Sequence, residues 1–259
     1  MPPASPDAGP ILAALKALAP LTFDGYSVAT NPVAKPRMSA LALCALIQHQ
    51  TGRPATLHCT TRDHNRLSMQ GLLWGASALG IDTVLVATGD FVALGDRART
   101  TTVRDADVFA LVRMAREADL RTGVVLDPHP EADGLAQSIR RLEWKAEAGA
   151  QFVVTQPVYD AASARRLAEA TQHIRIPIIL GILPLRTARH AEFLHYQVAG
   201  ITVPEHVRER MAQASDPVTE GSAQAREMLA VAREHFAGAC IMPPFDHYEV
   251  LFAILQDSQ

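Results

Sequence analysis

The chain has 259 residues, 48% of them hydrophobic and 5% aromatic, with a formal net charge of −3. That much apolar content can bury a large core, while scattered Lys and Arg make no broad basic field and the few aromatics offer few stacking platforms, which argues against nucleic acid as a partner. No apolar run reaches membrane-spanning length, and the opening MPPASPDAGP has neither a charged leader nor a hydrophobic signal core, so no membrane association and a cytoplasmic location are expected.

Helical periodicity begins almost at once, over residues 11–18, and a strand-like run follows at 22–28. The pattern then alternates: helix 38–49, strand 56–59, helix 65–79, strand 83–88, helix 106–118, strand 122–126, helix 135–148, strand 152–156, helix 161–172 and strand 178–182. Residues 187–221 are long enough to hold a helical excursion, after which a helix at 223–235 leads to a strand at 239–242. Asp63 is expected to cap the helix that opens at Asn65, and Asp105 or Asp107 the next one. This rhythm predicts an α/β fold, a TIM-like (β/α) barrel read as a single domain over 1–259. About seven strands can be counted, one short of the closed eight-stranded form, with the deficit at the N-terminus. An open barrel edge favours self-association, as a homo-oligomer or a complex subunit. The three cysteines, Cys44, Cys59 and Cys240, lie far apart in apolar segments without a CxxC pair, and read as buried thiols rather than a disulfide or metal site.

Ligands of such folds collect at the C-terminal ends of the strands. The segment LHCTTRDHNRLSMQGLLWGASALGIDTVLVATGD, residues 57–90, compresses strand, polar loop, amphipathic helix and buried strand into one unit that ends in Gly89-Asp90. The strand ends together supply Thr30, Asn31, His58, Arg62, Thr88, Gly89, Asp90, Asp127, His129, Gln156, Tyr159, Gly181, Pro243, Pro244 and Tyr248. Acidic, amide and imidazole groups of this kind suit an organic ligand with many hydrogen-bonding edges, such as a heterocyclic cofactor or substrate. A carboxylate at Asp90 can accept hydrogen bonds or stabilise a developing cation, against the plainer alternative of a turn or cap. His58 can bond a ligand or fill space. His129, set between two prolines, is held over a ligand or belongs to a polar turn. Gln156 can read a donor and an acceptor on one ring edge. His58, His129, Asp90 and Asp127 lack metal-ligand spacing, and GxSxG is absent.

The segments NPVAKPRMSALALCALIQ, LHCTTRDHNR, ALGIDTVLVATGD, KAEAGAQFVVTQPVYD, IPIILGILPL and IMPPFDHYEV occur in the order found in methylenetetrahydrofolate reductases. From about Tyr26 to Phe252 the chain resembles that family, especially the reductase domain fused to homocysteine methyltransferase. The resemblance implies a βα barrel that holds FAD at the strand C-terminal face, takes hydride from NADH or NADPH, and passes it to methylenetetrahydrofolate. It implies FAD contacts at His58, Thr88, Gly89, Asp90, His129 and Lys145, with Asp90 catalytic beside flavin and folate. It further implies a folate-type substrate read by Gln156, with Asn31 and Tyr159 as additional substrate contacts. Lys145, on its own, reads as an ordinary surface lysine.

Departures from the family pattern shape the expectation. The family's first strand carries a glutamate before paired prolines, an acid that protonates the folate, whereas this chain begins MPP and assigns no residue to that role. Thr88-Gly89-Asp90 replaces an RGD-like strand end, Ser138 stands where many relatives have Asp, and Leu180 replaces the proline before Gly181. Two readings follow: a flavin-dependent reductase with impaired protonation, or a non-catalytic folate- or flavin-binding barrel serving a methyl-transfer complex. A coding start further upstream is a third possibility.

Overall fold

The computed structural model describes residues 1–128, 134–198 and 200–256. Along the chain run α1 (Gly9–Ala17), β1 (Tyr26–Val28), α2 (Ala40–Thr51), β2 (Ala55–Thr60), α3 (Arg66–Ala78), β3 (Thr83–Ala87) and α4 (Val108–Glu117). They are followed by β4 (Arg121–Leu126), α5 (Gly134–Glu147), β5 (Phe152–Pro157), α6 (Ala161–Thr171) and β6 (Ile178–Ile182). The series ends with α7 (Ala188–Gln197), α8 (Glu205–Gln213), α9 (Pro217–His235), β7 (Gly238–Ile241) and α10 (Val250–Leu255). The seven strands form one sheet in the order β1-β2-β3-β4-β5-β6-β7. Parallel strands in chain order with helical crossovers define the TIM-like (β/α) barrel class.

The chain divides into two compact units, Met1–Val124 with Trp144–Gln151, and Val125–Glu143 with Phe152–Gln259. In the first, Leu57 and Cys59 on β2 stand beside Val84 and Val86 on β3. All four are at most 1% exposed, which is why β3 reads as a continuous apolar run rather than an alternating one. Helix α2 contributes Leu43, Cys44 and Ile47 to the same core. Cys59 is likewise buried, and burial pushes both thiols up to about 12, so they are protonated packing groups at neutral pH.

In the second unit Tyr159, Leu185, Ala191, Leu194, Val203, Val207 and Met211 make a buried cluster. Helices α7 and α8 occupy the segment expected to hold a helical excursion. Helix α9 starts at Pro217, six residues before the expected start at 223, because Asp216 caps it through Val218 N (3.1 Å) and Thr219 N (3.3 Å) and proline suits the first turn.

Two local expectations are corrected. Strand β1 is shorter than residues 22–28, because the Arg53 guanidinium binds the carbonyls of Ala19 (3.2 Å), Leu21 (2.9 Å) and Phe23 (3.2 Å), holding that stretch outside the ladder. Helix α3 is capped by Asn65 and not by Asp63. The Asn65 amide oxygen accepts from Ser68 N at 2.9 Å, while the Asp63 carboxylate is held by its neighbour Arg62. At the next helix Asp107 is the cap, accepting from Ala110 N at 2.7 Å.

Candidate functional site

The C-terminal ends of β1, β2 and β3 lie in the first unit and are tied together by one buried arginine. Arg62 follows β2 and is 4% exposed. Its Nε donates to Asp63 Oδ1 at 2.6 Å and its Nη2 to Asp63 Oδ2 at 2.7 Å, a two-pronged pairing that fits a planar fork to a carboxylate. Nη2 also donates to the Asn31 carbonyl at 3.1 Å, and Nη1 to the Asp90 carbonyl at 2.8 Å. The backbone follows suit: Arg62 N donates to Thr88 O at 3.1 Å, and Arg62 O accepts from Val103 N at 2.9 Å.

Charge and hydrogen bonding reinforce each other here. Burial opposes ionisation of Asp63. The Arg62 fork, the Asn31 amide (3.1 Å) and the Thr60 hydroxyl (3.3 Å) outweigh it and hold the carboxyl below its ordinary value. The bond to Asp63 in turn raises Arg62 above its already high value.

The loop after β1 takes an unusual path. Asn31, Val33 and Ala34 have φ of 41°, 51° and 54°, a left-handed region that L side chains seldom occupy, least of all a β-branched one. Compensating contacts hold it: Asn31 Oδ1 accepts from Arg37 N at 3.0 Å, and the Asp90 carboxylate accepts from Val33 N at 2.5 Å. Asp90 and Thr88 are exposed, whereas Gly89 lies between them at φ +89°. A Cβ on Gly89 would stand 3.2 Å from the Cβ atoms of both Arg62 and Thr60, and 3.3 Å from Arg62 Cζ. The glycine therefore leaves room for the guanidinium.

His58 projects from β2 in register with Leu85, and its Nε2 shares a hydrogen with Ser27 Oγ at 2.7 Å. Burial lowers its ring from 6.5 to about 4, so it is a neutral imidazole at physiological pH. Asn31 thus follows β1, Thr88, Gly89 and Asp90 follow β3, and His58 lies in the C-terminal half of β2, all within one unit. Lys145 is half-buried in the last turn of α5, the end of a crossover helix that leads toward the start of the next strand. His129 lies outside the described residues.

In the second unit β5 has a register shift between Val154 and Pro157, and Gln156 sits in it, half-buried. A bulge of this kind re-aims a side chain. Gly181 makes it possible, since a Cβ there would stand 2.3 Å from Thr155 O, and Gly181 N donates to Thr155 Oγ1 at 2.8 Å. Tyr159 is 8% exposed within the apolar cluster, and its hydroxyl has no hydrogen-bond partner among the described residues. Arg62 stood on the strand-end list drawn from the sequence, but as one polar group among many and without its role as a link between loops. Ser27 was not on that list, and the period of two along β1 was the available signal for it.

The family model for methylenetetrahydrofolate reductase matches residues 4–240. The chain belongs to the methylenetetrahydrofolate reductase family. Curated relatives include the probable methylenetetrahydrofolate reductase (NADPH) of Caenorhabditis elegans, 25% identical over 65% of this chain and 26% of that protein. The 5,10-methylenetetrahydrofolate reductase of Salmonella typhimurium is 26% identical over 56% of this chain and 49% of that protein. The matched stretch spans about a quarter to about half of these reductases. Among solved structures, an uncharacterized Clostridium thermocellum protein that binds two copies of 5-methyl-5,6,7,8-tetrahydrofolic acid has a TM-score of 0.66 at 15% identity, over 98% of this chain and 90% of that one. A phosphonopyruvate hydrolase has a TM-score of 0.58 at 14% identity, over 96% of this chain and 77% of that one. At such identities the likeness speaks for the barrel fold alone.

Proposed function

We propose that the chain is a flavin-dependent reductase acting on a folate-bound one-carbon unit, taking 5,10-methylenetetrahydrofolate to 5-methyltetrahydrofolate with NADH or NADPH as reductant. The observation that carries this reading is the set of hydrogen-bonding groups on adjacent strand ends in a member of this family: neutral His58, exposed Thr88 and exposed Asp90.

The donor set suits FAD. A neutral imidazole and a hydroxyl can each donate or accept, which matches the alternating carbonyl and N–H edge of a flavin ring. His58, Thr88, Gly89 and Asp90 would hold the ring, and Lys145 and His129 are further candidates for contact with the rest of the cofactor. Bound flavin would supply a centre that accepts and releases hydride. The role of Asp90 is electrostatic: a carboxylate oriented by Val33 N–H favours the cationic iminium that develops on the folate carbon. Gln156, with an amide that both donates and accepts, is the candidate for reading the pterin edge. Asn31 is committed through both side-chain polar atoms to Asp63 and Arg37, so its contribution is to loop shape.

Titration of the purified protein with FAD and with FMN, followed by perturbation of the flavin absorbance bands, tests the cofactor. Folded protein that leaves both flavins unperturbed at micromolar concentration would overturn the reading. Asp90→Asn should slow hydride transfer to the folate more than flavin reduction by NAD(P)H, when the half-reactions are timed separately by stopped flow. Equal slowing would make Asp90 a flavin-positioning group.

A second reading, a folate-binding barrel without redox chemistry, is favoured by the Clostridium thermocellum neighbour that binds methyltetrahydrofolate. Binding of methyltetrahydrofolate by a protein that ignores both flavins would decide for it.

A further inference from the structure

We propose that Arg62 and Asp63 form a positioning pair that fixes the strained loop after β1 against the loop after β3, and so sets where the Asp90 carboxylate stands. The part of this proposal that concerns Asp90 as a ligand contact rests on the reading above; the loop-setting part does not.

Four contacts occupy four of the five N–H donors that a guanidinium carries, and they reach three separate loops. Two of the acceptors, the Asn31 and Asp90 carbonyls, lie 31 and 28 residues away in the chain. Asp63 completes the link on the other side, taking the Asn31 amide at 3.1 Å while it holds the fork. Asn31 is the first of three non-glycine residues with positive φ in this loop, and Val33, two positions on, gives its N–H to Asp90. Strained backbone of this kind persists where surrounding contacts over-determine it, and the Arg62–Asp63 pair supplies two of those contacts, to the Asn31 carbonyl and to the Asn31 amide. Gly89 is the third part of the device, since a side chain there would press on Arg62 Cβ and Cζ at 3.2 and 3.3 Å.

Lysine keeps the charge of Arg62 and loses the fork, so it cannot bridge both carbonyls and grip Asp63 at once. Hydrogen exchange read by mass spectrometry on the full chain tests the proposal with no ligand present, comparing wild type, Arg62→Lys, Asp63→Asn and Gly89→Ala. Peptides covering residues 29–38 and 88–92 should exchange about tenfold faster or more in all three variants, while peptides from β3 and β4 keep their protection. Added guanidinium should restore protection in Arg62→Gly. Unchanged exchange at 29–38 would overturn the proposal, and so would a uniform rise across the chain or global unfolding of Arg62→Lys, because either makes Arg62 a general stability residue. With flavin bound, Arg62→Lys should alter the absorbance perturbation that Asp90→Asn alters, and add little to it in the double variant. Absence of flavin binding in the wild type would strike the cofactor reading alone and leave the exchange result standing.

Discussion

At the scale of single residues, burial determines what the candidate groups can do. His58 has its ring lowered from 6.5 to about 4, and His190 is lowered likewise to about 4 by burial and by nearby Arg186. A histidine kept neutral in the fold takes up a proton more readily when unfolded. Its contribution is therefore complete above about 6.5 and is lost as the pH falls toward about 4. Thermal unfolding followed across this window should show the melting temperature falling with pH, with a shallower slope in His58→Gln. An identical slope in that variant would mean that His58 titrates freely in the fold. Tyr159 makes the opposite point. A buried hydroxyl without a partner costs stability, so Tyr159→Phe should raise the unfolding free energy by about 1 kcal/mol. Denaturant melts will show it, and a loss of stability instead would mean that an internal water serves the hydroxyl.

At the scale of elements, short side chains at helix starts divide the work between folding and function. Asn65, Asp107, Asp160 and Thr187 each accept a backbone N–H in the first turn of their helices. Asn65→Ala should cost about 1 kcal/mol through loss of a cap, measured by urea denaturation, and should leave exchange in the loop after β1 unaltered. Asp63→Asn should show the reverse ranking, with a strong effect on that loop and the α3 cap intact. Comparable effects of both variants on loop and helix would remove the distinction between a capping residue and a positioning one. The bulge at Gln156 and the compact contact at Gly181 also belong to this scale. Together they turn a strand-end amide out of the plain alternation of β5.

For the molecule as a whole, ligand linkage provides a global test of the proposed flavin site. A ligand that binds the folded chain alone and is present at a hundred times its dissociation constant adds about 2.7 kcal/mol to stability. FAD should accordingly raise the melting temperature by several degrees, and the gain should shrink in Asp90→Asn and Arg62→Lys. An unchanged melting temperature at saturating FAD would count against flavin binding at any site. Among the described residues no helix is long and apolar enough to cross a membrane, and no group of three or more His, Cys, Asp or Glu is arranged to hold a metal ion.

The sequence by itself determined the alternation of strands and helices, the parallel character of the buried runs, and the position of Thr88, Gly89 and Asp90 directly after a strand. Each of these is written in local periodicity or in a short motif. Strand β3, nearly all β-branched or apolar, was legible for that reason, whereas the cap of α4 was narrowed only to Asp105 or Asp107. Tertiary structure decided what depends on residues far apart in the chain. Asp63 reads as a cap until Arg62 takes its carboxylate. The run at 22–28 reads as a strand until Arg53, from 30 or more residues away, claims the carbonyl of Phe23 and those of Ala19 and Leu21 just before it. Tyr159 reads as a rim residue until the helices of residues 188–213 bury it. A guanidinium can choose among several acceptors, and a side chain's burial counts neighbours from several elements, so neither choice is written near the residue that makes it.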